Sequence, residues 1–88
     1  MNAPLLPAHT VDARGLRCPL PLVKARNEID HLEPGEVLEV LATDPGADHD
    51  LRAWCRRTHH QLISAEELDD SVYRFLVRKA PSRRVGRW

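Results

Sequence analysis

The chain has 88 residues, 42% of them hydrophobic and 30% charged, with 13 Lys plus Arg balanced by 13 Asp plus Glu. That length is one domain with a thin core, burying only about 60% of the surface of its unfolded chain. The composition excludes a disordered chain, and the zero net charge excludes a broad electrostatic pull toward nucleic acid or an anionic membrane.

The opening Met1-Asn2-Ala3-Pro4-Leu5-Leu6-Pro7 has no basic segment ahead of an apolar run and does not read as a secretory signal. No apolar run approaches the roughly 18 residues that a membrane span needs. The expected compartment is the cytoplasm, where thiols stay reduced. The two cysteines, Cys18 and Cys55, form neither a Cys-x-x-Cys pair nor a zinc-ligand pattern.

Residues 1–8 read as a flexible N-terminus. His9 to Arg14 alternates polar and apolar residues and predicts a short strand. After a turn at Gly15-Leu16-Arg17, Pro19 to Leu32 predicts a helix whose inward stripe is Leu22, Ala25, Ile29 and Leu32. Glu33-Pro34-Gly35 stops it. Val37 to Ala42 is nearly continuous Val and Leu, the pattern of a well-buried strand. Past Thr43-Asp44-Pro45-Gly46, a second helix runs to about His59, with Ala47, Leu51, Trp54, Cys55 and Thr58 as its stripe. Gln61 to Glu67 and Val72 to Lys79 predict two strands about a turn at Asp69-Asp70, with Tyr73, Phe75 and Val77 on one face. Residues 81–88 carry Arg83, Arg84 and Arg87 without periodicity and read as a flexible tail.

The order β-α-β-α-β-β makes the first two strands parallel through a right-handed crossover and the last two a hairpin. A mixed four-stranded sheet with both helices on one face follows, a two-layer α/β sandwich over residues 9–80.

Both helices open on a proline. Proline suits a first helical position and pushes the residue before it out of helical conformation, so Cys18 and Asp44 are both expected at N-caps. Parallel strands bring the two junctions to the same edge of the sheet. Asp is a good cap in its own right. Cysteine is not, and a thiol at a helix start is expected to have a lowered pKa, with Arg17 adding positive charge. Pro19 and Pro21 remove N–H groups from the first turn, which leaves the Leu20 N–H to serve the sulfur. The expected product is a moderately activated, accessible thiolate. Leu20, set between the two prolines and off the inward stripe, is expected to be exposed beside Cys18 as a partner contact.

The run Asp12-Ala13-Arg14-Gly15-Leu16-Arg17-Cys18-Pro19-Leu20-Pro21 resembles the signature of the TusA, or SirA-like, family of sulfur carriers. Glu33-Pro34-Gly35, Thr43-Asp44-Pro45, Trp54 through His60 and Tyr73 through Lys79 resemble family positions too. The resemblance implies a mixed four-stranded sheet on two helices, similar to the C-terminal domain of bacterial initiation factor 3. It also implies that Cys18 takes a sulfur atom as a persulfide from a cysteine desulfurase or rhodanese and hands it to an acceptor sulfur-relay protein. Members serve thiolation of tRNA wobble uridines, sulfur oxidation or related sulfur and selenium traffic. Leu20 stands where the tRNA-thiolating members often carry Glu. Thiol exchange of this kind needs no metal, base or cofactor.

Other residues have plainer expectations. Cys55 and Trp54 fall on the apolar stripe and are expected in the core. Adjacent His59 and His60 point apart and suit a helix end better than a metal. His9, His31 and His49 are expected to be solvated. The competing functions are an RNA-associated binding module on the same fold, a thiol redox protein and a docking protein without sulfur chemistry. Zero net charge and few aromatics disfavour the first, and direct nucleic-acid binding with it. The lack of a second nearby cysteine disfavours the redox protein. A docking protein has no use for a cysteine at a proline-locked helix start.

Overall fold

A computed structural model describes residues 6–81. The elements in chain order are β1 (His9–Ala13), α1 (Leu20–Ile29), β2 (Val37–Ala42), α2 (Gly46–Thr58), β3 (Gln61–Glu67), a single 3₁₀ turn (Asp69–Ser71) and β4 (Tyr73–Arg78). The sheet order is β1-β2-β4-β3. β1 and β2 are parallel, with Val11 opposite Val40. β4 runs antiparallel to both of its neighbours, pairing Phe75 with Val40 on one side and with Ala65 on the other. The expected two-layer α/β sandwich, with β-α-β-α-β-β order, is the observed fold.

One core lies between the helices and one face of the sheet. Val11, Ala13, Leu38, Val40, Ala42, Phe75 and Val77 come from the sheet, and Ala25, Ile29, Ala47, Leu51, Trp54 and Cys55 from the helices. Alternation explains the sheet's share, since residues two apart share a face. On the opposite face Arg74 donates to Glu39 and Glu66, and Thr10 donates to Glu39 at 2.8 Å, tying all four strands together. Leu76 on that same face is only 6% exposed.

α1 is shorter than its sequence pattern. It ends at Ile29, and single-turn bonds carry the chain on to Leu32. The Lys79 ammonium then donates to the Leu32 carbonyl at 2.6 Å, a cation on the carbonyl end of the helix. The inward stripe of Leu22, Ala25, Ile29 and Leu32 packs on the core as expected and gains a member. Pro21 is fully buried, whereas Leu22 is partly exposed. α2 closes as expected, with the His59 N–H donating to the Cys55 carbonyl at 2.8 Å. Thr58 leaves the stripe, is exposed, and turns its hydroxyl back to the Trp54 carbonyl. His9 is paired rather than simply solvated, 3.1 Å from Glu28. Of the two histidines expected at the helix end, His59 is the C-cap of α2, whereas the His60 ring packs inward, meeting Trp54 edge-on at 5.1 Å and accepting the Ala80 N–H on Nδ1. Burial and the Lys79 charge hold its pKa below the ordinary imidazole value.

Candidate functional site

The parallel β1–β2 pair places the β1–α1 and β2–α2 junctions side by side, and hydrogen bonds lock the two loops. Gly15, at φ 83°, turns the chain out of β1 and donates its N–H to Thr43 Oγ1 at 2.9 Å. The Cys18 N–H donates to Asp44 Oδ2 at 2.6 Å, and the Gly46 N–H to Asp44 Oδ1 at 2.9 Å. One carboxylate therefore braces both junctions at once. These amides hold the Asp44 carboxyl below its ordinary range, and the charge of Arg17 adds to the effect.

The capping expectations are corrected in one case and refined in the other. The N-cap of α1 is Pro19, not Cys18, and the Cys18–Pro19 peptide is cis. The Leu20 N–H, expected to serve the sulfur, donates to the Arg17 carbonyl at 2.8 Å instead. Cys18 thus stands one residue outside the helix, in the turn that leads into it. Pro45 occupies the formal cap of α2. Asp44 still does the capping chemistry, through its side chain to Gly46 and its carbonyl to the Ala47 N–H at 3.0 Å.

The electrostatics at the sulfur reverse the expectation of a lowered thiol pKa. The Cys18 thiol is exposed and donates to Asp50 Oδ2, a carboxylate from the second turn of α2. That hydrogen bond comes first, then partial desolvation and the charges of Asp50 and Asp44, and together they push the thiol up to about 11. A helix start contributes only about 0.3–1 kcal/mol toward the thiolate. Two nearby carboxylates outweigh it. Arg17 is exposed and acts on Asp44 rather than on the sulfur.

The sequence reading missed Asp50 and Gly46. Asp50 lies three residues after Ala47 and four before Trp54, a carboxylate on the rim of an apolar stripe, and that was its available signal. A Cβ at Gly46 would stand 3.2 Å from Cys18 Cβ and 3.4 Å from Cys18 Sγ, so the glycine makes room for the cysteine. Pro21 plugs the core beneath the junction while Leu20, 47% exposed, faces outward beside Val23 at 37%. Cys55 is 6% exposed and its thiol is pushed up to about 11 by burial alone.

A shallow pocket of about 280 Å³, lined by Arg52, Cys55, Arg56, His60 and Leu62, lies on the β3 flank of α2 and does not include Cys18. Among the described residues no group of three or more His, Cys, Asp or Glu could hold a metal ion. No helix among them is long and apolar enough to cross a membrane.

The fold and the junction define a small two-layer α/β domain that presents one thiol at a strand-to-helix turn. The model of the family described as sulfurtransferase TusA matches residues 9–79, and the chain belongs to that family. A solved structure similar to it is that of the SirA-like protein from Desulfitobacterium hafniense. The two are 26% identical with a TM-score of 0.74, over 82% of this chain and 97% of that one.

Proposed function

We propose that the domain, residues 9–80, is a sulfur carrier that holds a sulfur atom as a persulfide on Cys18 and passes it to another protein. The observation that carries this reading is the contrast between the two thiols. Cys18 is exposed in a turn braced by Asp44, whereas Cys55 is buried on the core stripe of α2, at the floor of a shallow pocket. An exchange between two proteins needs a sulfur that both can reach.

Loading is one thiol–disulfide-type displacement. The Cys18 thiol loses its proton and attacks the outer sulfur of a donor persulfide. The Sγ–S bond forms as the donor's S–S bond breaks, and the donor cysteine leaves as a thiolate that takes up a proton. Unloading is the same step with an acceptor cysteine attacking and Cys18 leaving. Electrons balance within each step, so no oxidant, metal or cofactor enters. A cysteine desulfurase or rhodanese fits the donor role and a sulfur-relay protein the acceptor role. The acceptor decides whether the sulfur serves tRNA 2-thiouridine formation or sulfur oxidation.

Leu20 and Val23, exposed and three residues apart on α1, form the apolar contact for those partners. Arg17, Pro19 and Pro21 shape the turn that presents the sulfur. The reading is tested by loading with a desulfurase and cysteine and weighing the intact protein. Wild type gains the mass of one sulfur and Cys18→Ser gains none. A Ser variant labelled as well as wild type contradicts it.

A further inference from the structure

Asp44 and Asp50 both bear on the Cys18 sulfur, but their carboxylates are used differently. Both oxygens of Asp44 are occupied by backbone N–H groups, at 2.6 and 2.9 Å. Asp50 is half-buried, and among the described residues its side chain has one polar partner, the Cys18 thiol, and no ion pair. The other acidic residue of that helix region, Asp48, is neutralised by Arg52 at 2.9 Å. An unpaired carboxylate in a partly desolvated place, spending its one contact on a thiol proton, is costly to keep unless it serves that thiol.

Its effect on the thiol is direct. Ionising the sulfur would lose the hydrogen bond and set two negative charges side by side. The charged groups that bear on the sulfur are Asp50 and Asp44, and Arg17 bears on Asp44 instead. With the thiol pushed up to about 11, the thiolate is a minor form at neutral pH. Exchange requires that thiolate. None of the cations among the described residues forms an ion pair with Asp50.

We propose that Asp50 gates Cys18: its unpaired carboxylate keeps the sulfur protonated at rest, and sulfur exchange proceeds when the partner brings an ammonium or guanidinium group onto Asp50. This rests on the carrier role proposed above and adds the chemistry of the partner's contact surface. A cation on Asp50 engages the oxygen that the thiol proton occupied and cancels the repulsion of the thiolate. The released proton goes through solvent to the departing donor thiolate, so the transfer stays balanced. The partner's surface is then cationic opposite Asp50 and apolar opposite Leu20 and Val23, and a thiol-reactive molecule lacking that cation meets an idle sulfur.

Asp50→Asn keeps the shape of the side chain and removes its charge. Two readings on the Cys18 peptide, taken by mass, test the gate in folded wild type and Asp50→Asn. The first is iodoacetamide alkylation against pH. The variant's curve is expected to move down by a unit or more, making alkylation at pH 7 about tenfold faster. The second compares loading by two small persulfides of similar size, that of cysteamine, which carries an ammonium, and that of thioglycolate, which carries a carboxylate. Wild type is expected to prefer the cationic donor by about tenfold, and the variant by less than about threefold. An alkylation curve that does not move, or an equal charge preference in both proteins, overturns the gate. If wild type takes sulfur from neither persulfide nor from a desulfurase, the carrier role fails. Alkylation by 2-bromoethylammonium against iodoacetate then still decides the gate by the same comparison.

Discussion

At the scale of single residues, the two cysteines show how one side chain takes opposite roles from its surroundings. Cys55 sits on the stripe of α2 with Leu51 and Trp54, and burial alone raises its thiol. Cys55→Ala is expected to cost on the order of 1 kcal/mol, read by urea unfolding, while sulfur loading stays at the wild-type level. Loss of loading in a folded Cys55→Ala protein would favour a two-cysteine redox mechanism. The core position of Cys55 was legible in the sequence because helical spacing reports burial directly. The protonation of Cys18 was not. A proline-led helix start and an adjacent Arg17 suggest a thiolate, and the deciding group, Asp50, stands 32 residues away in sequence. Only the parallel strand pairing brings it to the sulfur.

At the scale of elements, β2 and β3 have the bounds that the sequence implies, β2 because its Val and Leu run is nearly continuous and closed by turn residues on both sides. α1 is the element whose ends the pattern misplaces. Its stripe runs on to Leu32, but the backbone leaves the helix at Ile29 and Lys79 caps the turn that follows. The Pro21 ring joins the stripe more deeply than Leu22, which packs partly buried against the same core, because a proline in the first turn gives up an N–H that has no helical partner there and is otherwise an apolar side chain. Exposed Leu20 was legible for the same reason, being off the stripe between two prolines. Leu20→Glu is expected to leave the melting temperature and the alkylation of Cys18 by iodoacetamide nearly unchanged, and to alter transfer rates from desulfurases and rhodaneses, since an unpaired carboxylate is costly in an apolar contact. Rates equal to wild type with every donor and acceptor would remove Leu20 from the docking surface, and a melted protein would place it in the core.

At the scale of the whole molecule, the titrating groups fix a pH window of stability. Asp12 is held at about 2 by Arg14, while Glu39 is lowered by the Arg74 guanidinium and Asp44 by backbone amides. Carboxyls lowered on folding contribute above their ordinary values, and that contribution is lost as pH falls through the folded ones. The two thiols are raised from 9.0 to about 11. Groups raised on folding contribute below their ordinary value, and that contribution is lost as pH rises toward the folded one. His60, also lowered on folding, adds a loss that begins below the ordinary imidazole value of 6.5, so the melting temperature is expected to be level only between about pH 7 and 8. It should fall on the acid side, more steeply from the ordinary carboxyl values of 3.8 and 4.5 downward, and on the alkaline side from 9.0 toward 11. Calorimetry across pH checks both limbs. An alkaline limb unchanged in a Cys18→Ser, Cys55→Ala double variant would assign that loss to other groups.

The measurement that tests the central claim most directly is intact mass after incubation with a cysteine desulfurase and cysteine, on wild type, Cys18→Ser and Cys55→Ala side by side. The account predicts one added sulfur, removable by dithiothreitol, on wild type and on Cys55→Ala, and none on Cys18→Ser. Equal labelling of Cys18→Ser, or sulfur that maps to Cys55, would contradict it.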